Sequence, residues 1–357
     1  MKTHLLLSTA VVALLGASSA FAGSNTVYLN QIDSSQNASI TQSGSSNTVG
    51  YSWRNFVQQN GGLSGHNALV INQSGNNNWV ARDAQGYQSG TSNTANISQA
   101  GYGSDVELQQ SGTENGNGYI AYNNGGAYNS VFQDASSNSS KASVVQSGYR
   151  NGFDIVQGGY GNNTSLTQNN NGGVAYIRQG TAGSYYDQSS NRGTPTGGNN
   201  NAITVNQTTD YANYVVAIQG NGDSNTATLT QQGDGLRVNS WQQGSSNAVS
   251  STQVGYYSTA VFNQFGTLNS ATSNQGNYAS ANIYQNGYGN QSIGSQYGGA
   301  GSNYLNVATV SQSGDNNTAN YAQNGYSNTV SVTQTGNWNN SVTSQTGTGH
   351  VANIVQN

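Results

Sequence analysis

From position 306 onward, polar and apolar residues alternate without drifting. NVATVSQSGDN (306–316), NTANYAQNGYS (317–327), NTVSVTQTGNW (328–338), NNSVTSQTGTG (339–349) and HVANIVQ (350–356) follow one another directly, and Gln312, Gln323, Gln334, Gln345 and Gln356 stand 11 residues apart. Strict alternation over seven residues predicts a strand, because successive side chains of an extended chain point to opposite faces. The Gly that follows predicts the turn. In NTVSVTQ this puts Asn328, Val330, Val332 and Gln334 on one face and Thr329, Ser331 and Thr333 on the other.

The same frame returns upstream in NTVYLNQ (25–31), SDVELQQSGTE (104–114), NGFDIVQGGYG (151–161), NAVSSTQVGYY (247–257) and STAVFNQFGTL (258–268). It fits poorly at 54–66, 78–92, 115–139, 180–200 and 297–305. Pro195, the one proline, falls in one of these stretches, where a residue that cannot donate to a ladder is tolerated. The charges Asp105 and Glu107 share the face opposite Val106 and Leu108, so charge is expected to point outward.

A seven-residue strand is not stable alone, and an 11-residue unit buries its apolar face only against further copies. Two units make a strand-turn-strand layer of 22 residues. The expected fold is all-β, a parallel β-solenoid of about 15 such layers stacked at roughly 4.8 Å, with two sheets about 10 Å apart as in cross-β structure. Ala308 and Val310, Val330 and Val332, and Ala352 and Ile354 should stack in one sheet, and Ala319 and Tyr321 against Ser341 and Thr343 in the other. Val310, Tyr321, Val330, Val332 and Ile354 are the expected apolar core, thin and dry.

Buried amides are costly unless both donors and the carbonyl are used. In-register stacking meets this demand, so Asn306, Gln312, Asn317, Gln323, Asn328, Gln334, Asn339, Gln345 and Gln356 are expected to form amide ladders.

Composition narrows the picture. Only 6% of the 357 residues are charged, 48 are Gly and none is Cys, so holding such a chain together falls to strand and amide hydrogen bonding rather than a thick core or disulfides. A disordered polar chain would share this composition but would not keep an 11-residue period. Residues 1–22 read as a secretory signal peptide, with Lys2, an apolar run from Leu5 to Leu15 and a small-residue site at Ala20-Phe21-Ala22, leaving 23–357 as the repeat array. The run is too short and too rich in Ser and Ala to be read as a membrane anchor.

A formal net charge of −4 without a basic block gives no support to nucleic-acid binding. His4, His66 and His350 are isolated, and no spacing suggests a metal site, a cofactor or a catalytic triad, so neither an enzyme nor a cofactor is expected. His350 occupies the Asn position of its unit and reads as an amide substitute.

NTVSVTQTGNWNNSVTSQ, and the array from 25 to 356 that repeats its pattern, resembles the curlin repeat, S/N-x5-Q-x-G-x-x-N-x5-Q, of the proteins that build curli fibres. The chain is similar to a major curli subunit in a long, many-repeat form. The resemblance implies a secreted structural subunit that self-assembles into extracellular amyloid fibres for biofilm matrix and adhesion. It also implies a nucleator subunit, an outer-membrane export channel and a periplasmic chaperone or inhibitor as partners. In that family, charges in some repeats slow self-association. Here Lys141, Arg150, Asp154, Arg178 and Asp187 lie mid-chain, whereas only Asp315 is charged after Arg237, so 238–357 is expected to assemble fastest. A soluble ice-binding or adhesive solenoid is the alternative, on the outward row Thr226, Thr228 and Thr230.

Overall fold

The computed structural model describes residues 24–32, 36–52, 55–59, 66–82, 86–103, 105–111, 115–123, 129–133, 137–148, 150–182, 194–195, 198–298 and 304–357. The signal peptide read at 1–22 and the charge of Asp187 lie outside them. Every element among the described residues is a strand. The alternating pattern sends the chain back and forth between two sheets, one of 13 strands and a facing one of 17 strand segments, and nearly all pairings are parallel. Thr329–Thr335, for example, lies between Asn306–Ser313 and Val351–Gln356, with Val332 level with both Val310 and Ile354. In the opposite sheet Ala319 pairs with Ser341 and Tyr321 with Thr343. The fold is a β-solenoid.

The 13-stranded sheet gives twelve steps from first strand to last, roughly 60 Å at about 4.8 Å each, fewer than the expected 15 layers. The shortfall has a local cause. Successive Gln partners are 22 residues apart where the repeat is regular, but 27, 30 and 40 residues apart where it decays. The register is undisturbed by the extra residues: Val174–Gln179 pairs with Tyr214–Gly220 as evenly as any neighbours do, although the longest step separates them. Within that step, Thr181–Ala182 and Thr194–Pro195 pair antiparallel, apart from both large sheets, which is where Pro195 is placed.

At many turns a Gly with positive φ is followed two residues later by one in the left-handed region, as Gly314 by Asn316, Gly325 by Ser327 and Gly336 by Trp338. Stacking makes the Gly obligatory at some of them: a Cβ on Gly314 would stand 2.1 Å from the carbonyl oxygen of Gly336 in the next layer.

The core is one cluster running the length of the rod between the sheets, with Phe56, Phe153 and Phe262 as its largest members. It is not uniformly apolar. Toward the C-terminus the inward row carries Ser251, Ser292, Ser341 and Thr343, whose hydroxyls are buried without hydrogen-bond partners. The second face is not uniformly charged outward either. Glu107 and Asp154 are buried, as are Ser130, Val156, Val216 and Ile218 on the same side. On that face Val156, Arg178, Ile218 and Trp241 form one row in register, and Asp154 is neutralised there by Arg178.

Candidate functional site: amide rows and open ends

The conspicuous chemistry of this chain is its rows of buried amides. In the larger sheet one row runs through Gln31, Gln58, Gln88, Gln110, Gln133, Gln157, Gln179, Gln219, Gln242, Gln264, Gln285, Gln312, Gln334 and Gln356. At every step the Nε2 of one glutamine donates to the Oε1 of the next at 2.7–3.1 Å. In the 13-stranded sheet Gln296, Gln323 and Gln345 continue a similar row at 2.8 and 3.0 Å. The second Nε2 hydrogen crosses the layer to a backbone carbonyl of the opposite sheet, as from Gln334 to Thr318 at 2.8 Å and from Gln323 to Val307 at 3.1 Å. Each glutamine therefore bonds along the rod and across it, which removes the penalty of burying an unmet amide.

The row in the 13-stranded sheet breaks once. Opposite Gln99 the register places Tyr122, on a strand whose pairing shifts between Asn117 and Ile120. Beyond the break, Gln146 Oε1 is buried without a partner.

Asparagine forms a different kind of row. The backbone N–H of Asn317 donates to Asn290 Oδ1 at 3.0 Å and that of Asn339 to Asn317 Oδ1 at 3.0 Å. Asn317 Nδ2 donates to Asn290 Oδ1 and to the Gly336 carbonyl. At Asn339 the amide turns instead to its own turn, bonding Thr335 O at 2.9 Å, so the expected amide-to-amide contact of Asn317 with Asn339 is replaced by a backbone-to-amide one. Across the layer, Asn328 N–H bonds Asn306 Oδ1 and His350 N–H bonds Asn328 Oδ1, both at 3.1 Å. His350 Nε2 lies 3.0 Å from Thr346 O, the bond an Asn amide makes at this position. The asparagines thus cap turns as much as they form ladders, a distinction the repeat pattern alone does not carry.

Val310, Tyr321, Val330 and Val332 are buried, whereas Ile354 in the last strand is only partly so. At the opposite end Val27, Leu29, Ala38 and Ile40 are likewise partly buried. Both ends of the rod are therefore unfinished layers. Among the described residues Val351–Gln356 pairs only with Thr329–Thr335 and Asn340–Thr348 only with Thr318–Tyr326, so each offers a free strand edge there.

The rows are also polar. Because Nε2 always donates toward the C-terminal end, Gln345 and Gln356 each have one amide hydrogen that meets no glutamine among the described residues, their other going to Thr329 O and Asn340 O. Gln31 and Gln42 begin the rows, with Oε1 as the open group.

The mid-chain charges separate into two kinds. Lys141 and Arg150 are exposed. Arg178 Nη2 donates to Asp154 Oδ2 at 2.5 Å and Nη1 to the Asp154 carbonyl at 3.1 Å, a buried pair bridging adjacent layers. A neutralised pair of this kind does not present a repelling charge to an incoming strand. Among the described residues no group of three or more His, Cys, Asp or Glu side chains is placed to hold a metal ion.

Residues 325–357, which hold Gln334, Gln345, Gln356 and the terminal strands, match the family model of the curlin associated repeat. These residues carry a curlin associated repeat. No curated protein matches it. The curlin motif's Asn and Gln positions are those that form the rows described above, and its Gly is the turn residue.

Proposed function

We propose that this curlin-repeat protein is a structural, non-enzymatic subunit of an extracellular curli-like amyloid fibre that grows head to tail and serves as biofilm matrix and adhesive. The observation that carries this reading is the complementarity of the two ends. One end offers the Nε2 donors of Gln345 and Gln356. The other offers the Oε1 acceptors of Gln31 and Gln42, in the same two sheets. Adding a second copy continues both rows, pairs both free edges and completes the half-covered core layers around Ile354 and Leu29. Such a contact is heterologous and does not close, so it generates a filament. The nucleator, export channel and periplasmic inhibitor belong to this reading as partners, and the apolar segment at 5–15 as the export signal.

The test is seeded elongation of the chain from residue 23 with Gln345 and Gln356 both replaced by Glu. Carboxylates at the donor end face acceptors, so growth onto wild-type seeds should stop at neutral pH and recover where the carboxyls are protonated. Unchanged growth at neutral pH would refute the joint. The ice-binding alternative lacks the regular array it needs: Thr226 stands level with Ala202 and Ala248, and Thr228 with Thr204 and Ser250.

A further inference from the structure

The solenoid has two edges, and they are chemically different. Where the chain passes from the 13-stranded sheet to the larger one, the turns carry Tyr102, Tyr211, Tyr256, Tyr257, Tyr304 and Tyr326, all exposed, together with Tyr278. The return turns carry mostly Ser, Asn, Asp and Thr, with Tyr160 and Tyr288 as the tyrosines among the described residues. Along the first edge, successive layers place like positions one above another, as the bond from Tyr278 N–H to Tyr256 O at 2.8 Å shows.

At one point two rings meet. Tyr257 and Tyr278, from adjacent layers, have ring centroids 5.7 Å apart and planes inclined by 32°. Gly235 in the preceding layer leaves room for this: a Cβ there would lie 2.7 Å from Tyr257 Cδ1, so the Tyr257 ring is seated between Gly235 and Tyr278. Both residues hold left-handed backbone, with φ of 52° and 48°, which aims both side chains off the same edge. Tyr257 is 60% exposed. A second tyrosine pair among the described residues, Tyr176 with Tyr214, is steeper at 61° and less exposed.

We propose that Tyr257 and Tyr278 form an oxidative modification site, coupling to dityrosine when the protein meets hydrogen peroxide and a haem peroxidase. Each phenol loses one electron and its proton, giving two tyrosyl radicals. Spin density on the ring carbons ortho to oxygen lets those carbons form a C–C bond, and loss of the two ortho ring hydrogens to the oxygens restores both phenols. Two hydrogens leave the protein in total, and one peroxide is reduced to two waters. Tilted by 32° rather than set edge-on, the two rings face one another more than Tyr176 and Tyr214 do, which favours approach of their ortho carbons. In a chain with no cysteine, the bond would supply a covalent rung between layers otherwise held by hydrogen bonds and packing.

The test treats the full chain, dilute and before assembly, with peroxide and peroxidase, then maps peptides by mass spectrometry. A cross-linked pair containing Tyr257 and Tyr278, two hydrogens lighter than its parts, should dominate over all other dityrosines. It should vanish in Tyr278→Phe and, separately, in Tyr257→Phe, and survive in Tyr214→Phe. Dityrosine spread evenly over the exposed tyrosines, formed mainly at Tyr176 with Tyr214, or absent altogether would overturn the proposal. The readout does not depend on fibre growth, so it stands or falls independently of the assembly reading.

Discussion

The ring of Tyr321 occupies the space where a side chain on Gly294 would stand: a Cβ on Gly294 would lie 1.8 Å from Tyr321 Cζ and 2.1 Å from its hydroxyl oxygen. The two residues are level in adjacent strands of the 13-stranded sheet. One layer has surrendered its side chain so that the next can lay a large ring across it. Gly294→Ala should therefore destabilise the monomer by overpacking, by about 1–3 kcal/mol, measured as a shift of the denaturant midpoint. Gly294→Ala combined with Tyr321→Ala should recover part of that loss.

The same ring sets a pH limit. Burial pushes the Tyr321 phenol up to about 12 from its ordinary value of 10.0. A group whose folded value is raised lends stability that is complete below its unfolded value and is lost as pH climbs through the folded one. Stability should thus fall between about pH 10 and 12, and fall less in Tyr321→Phe. Equal alkaline sensitivity of both proteins would contradict this.

Interior and terminal glutamines should behave differently. Gln312→Ala takes both partners of a row away and leaves the Nε2 of Gln285 buried, so it should cost about 1–3 kcal/mol of monomer stability. Gln356→Ala, partly exposed at the open end, should change stability by less than about 1 kcal/mol yet slow elongation. Urea unfolding and seeded growth curves on the same two variants separate the effects.

Arg178→Met should destabilise by about 3–5 kcal/mol, since it strands the Asp154 carboxylate in a buried place. Arg178→Met with Asp154→Asn should be clearly milder. If the single and double variants unfold alike, the pair is not coupled.

Much of this fold is legible from the chain because its period is set by physics that acts locally. Val330, Val332 and Gln334 point inward since strands alternate, and an amide at Gln334 must stack since nothing else could satisfy it. The layer count is less legible, because the decayed repeat at 180–200 does not reveal that Gln179 and Gln219, 40 residues apart, are direct partners in adjacent layers. Nor does alternation reveal that Asp154 and Arg178 are buried: their pairing spans 24 residues and depends on neighbours such as Val156 and Ile218. The one-sided placement of tyrosine escapes as well, since every turn reads alike until the two edges are told apart. The approach of the Tyr257 and Tyr278 rings needs three-dimensional register.

The segment 238–357 carries a single charged residue, Asp315, and has its strands in unbroken register. It should form amyloid faster than 104–157, which contains Lys141, Arg150 and Asp154. Dye-binding lag times for the two segments at equal concentration check the order.

The central claim is that the solenoid's own layer spacing continues across the joint between copies. Fibre diffraction from the chain beginning at residue 23, grown from its own seeds, tests it most directly. The fibres should give a meridional reflection near 4.8 Å and an equatorial one near 10 Å, about the same spacings as within one molecule. A chain that stays monomeric in the presence of seeds, or fibres lacking the 4.8 Å reflection along their axis, would contradict it.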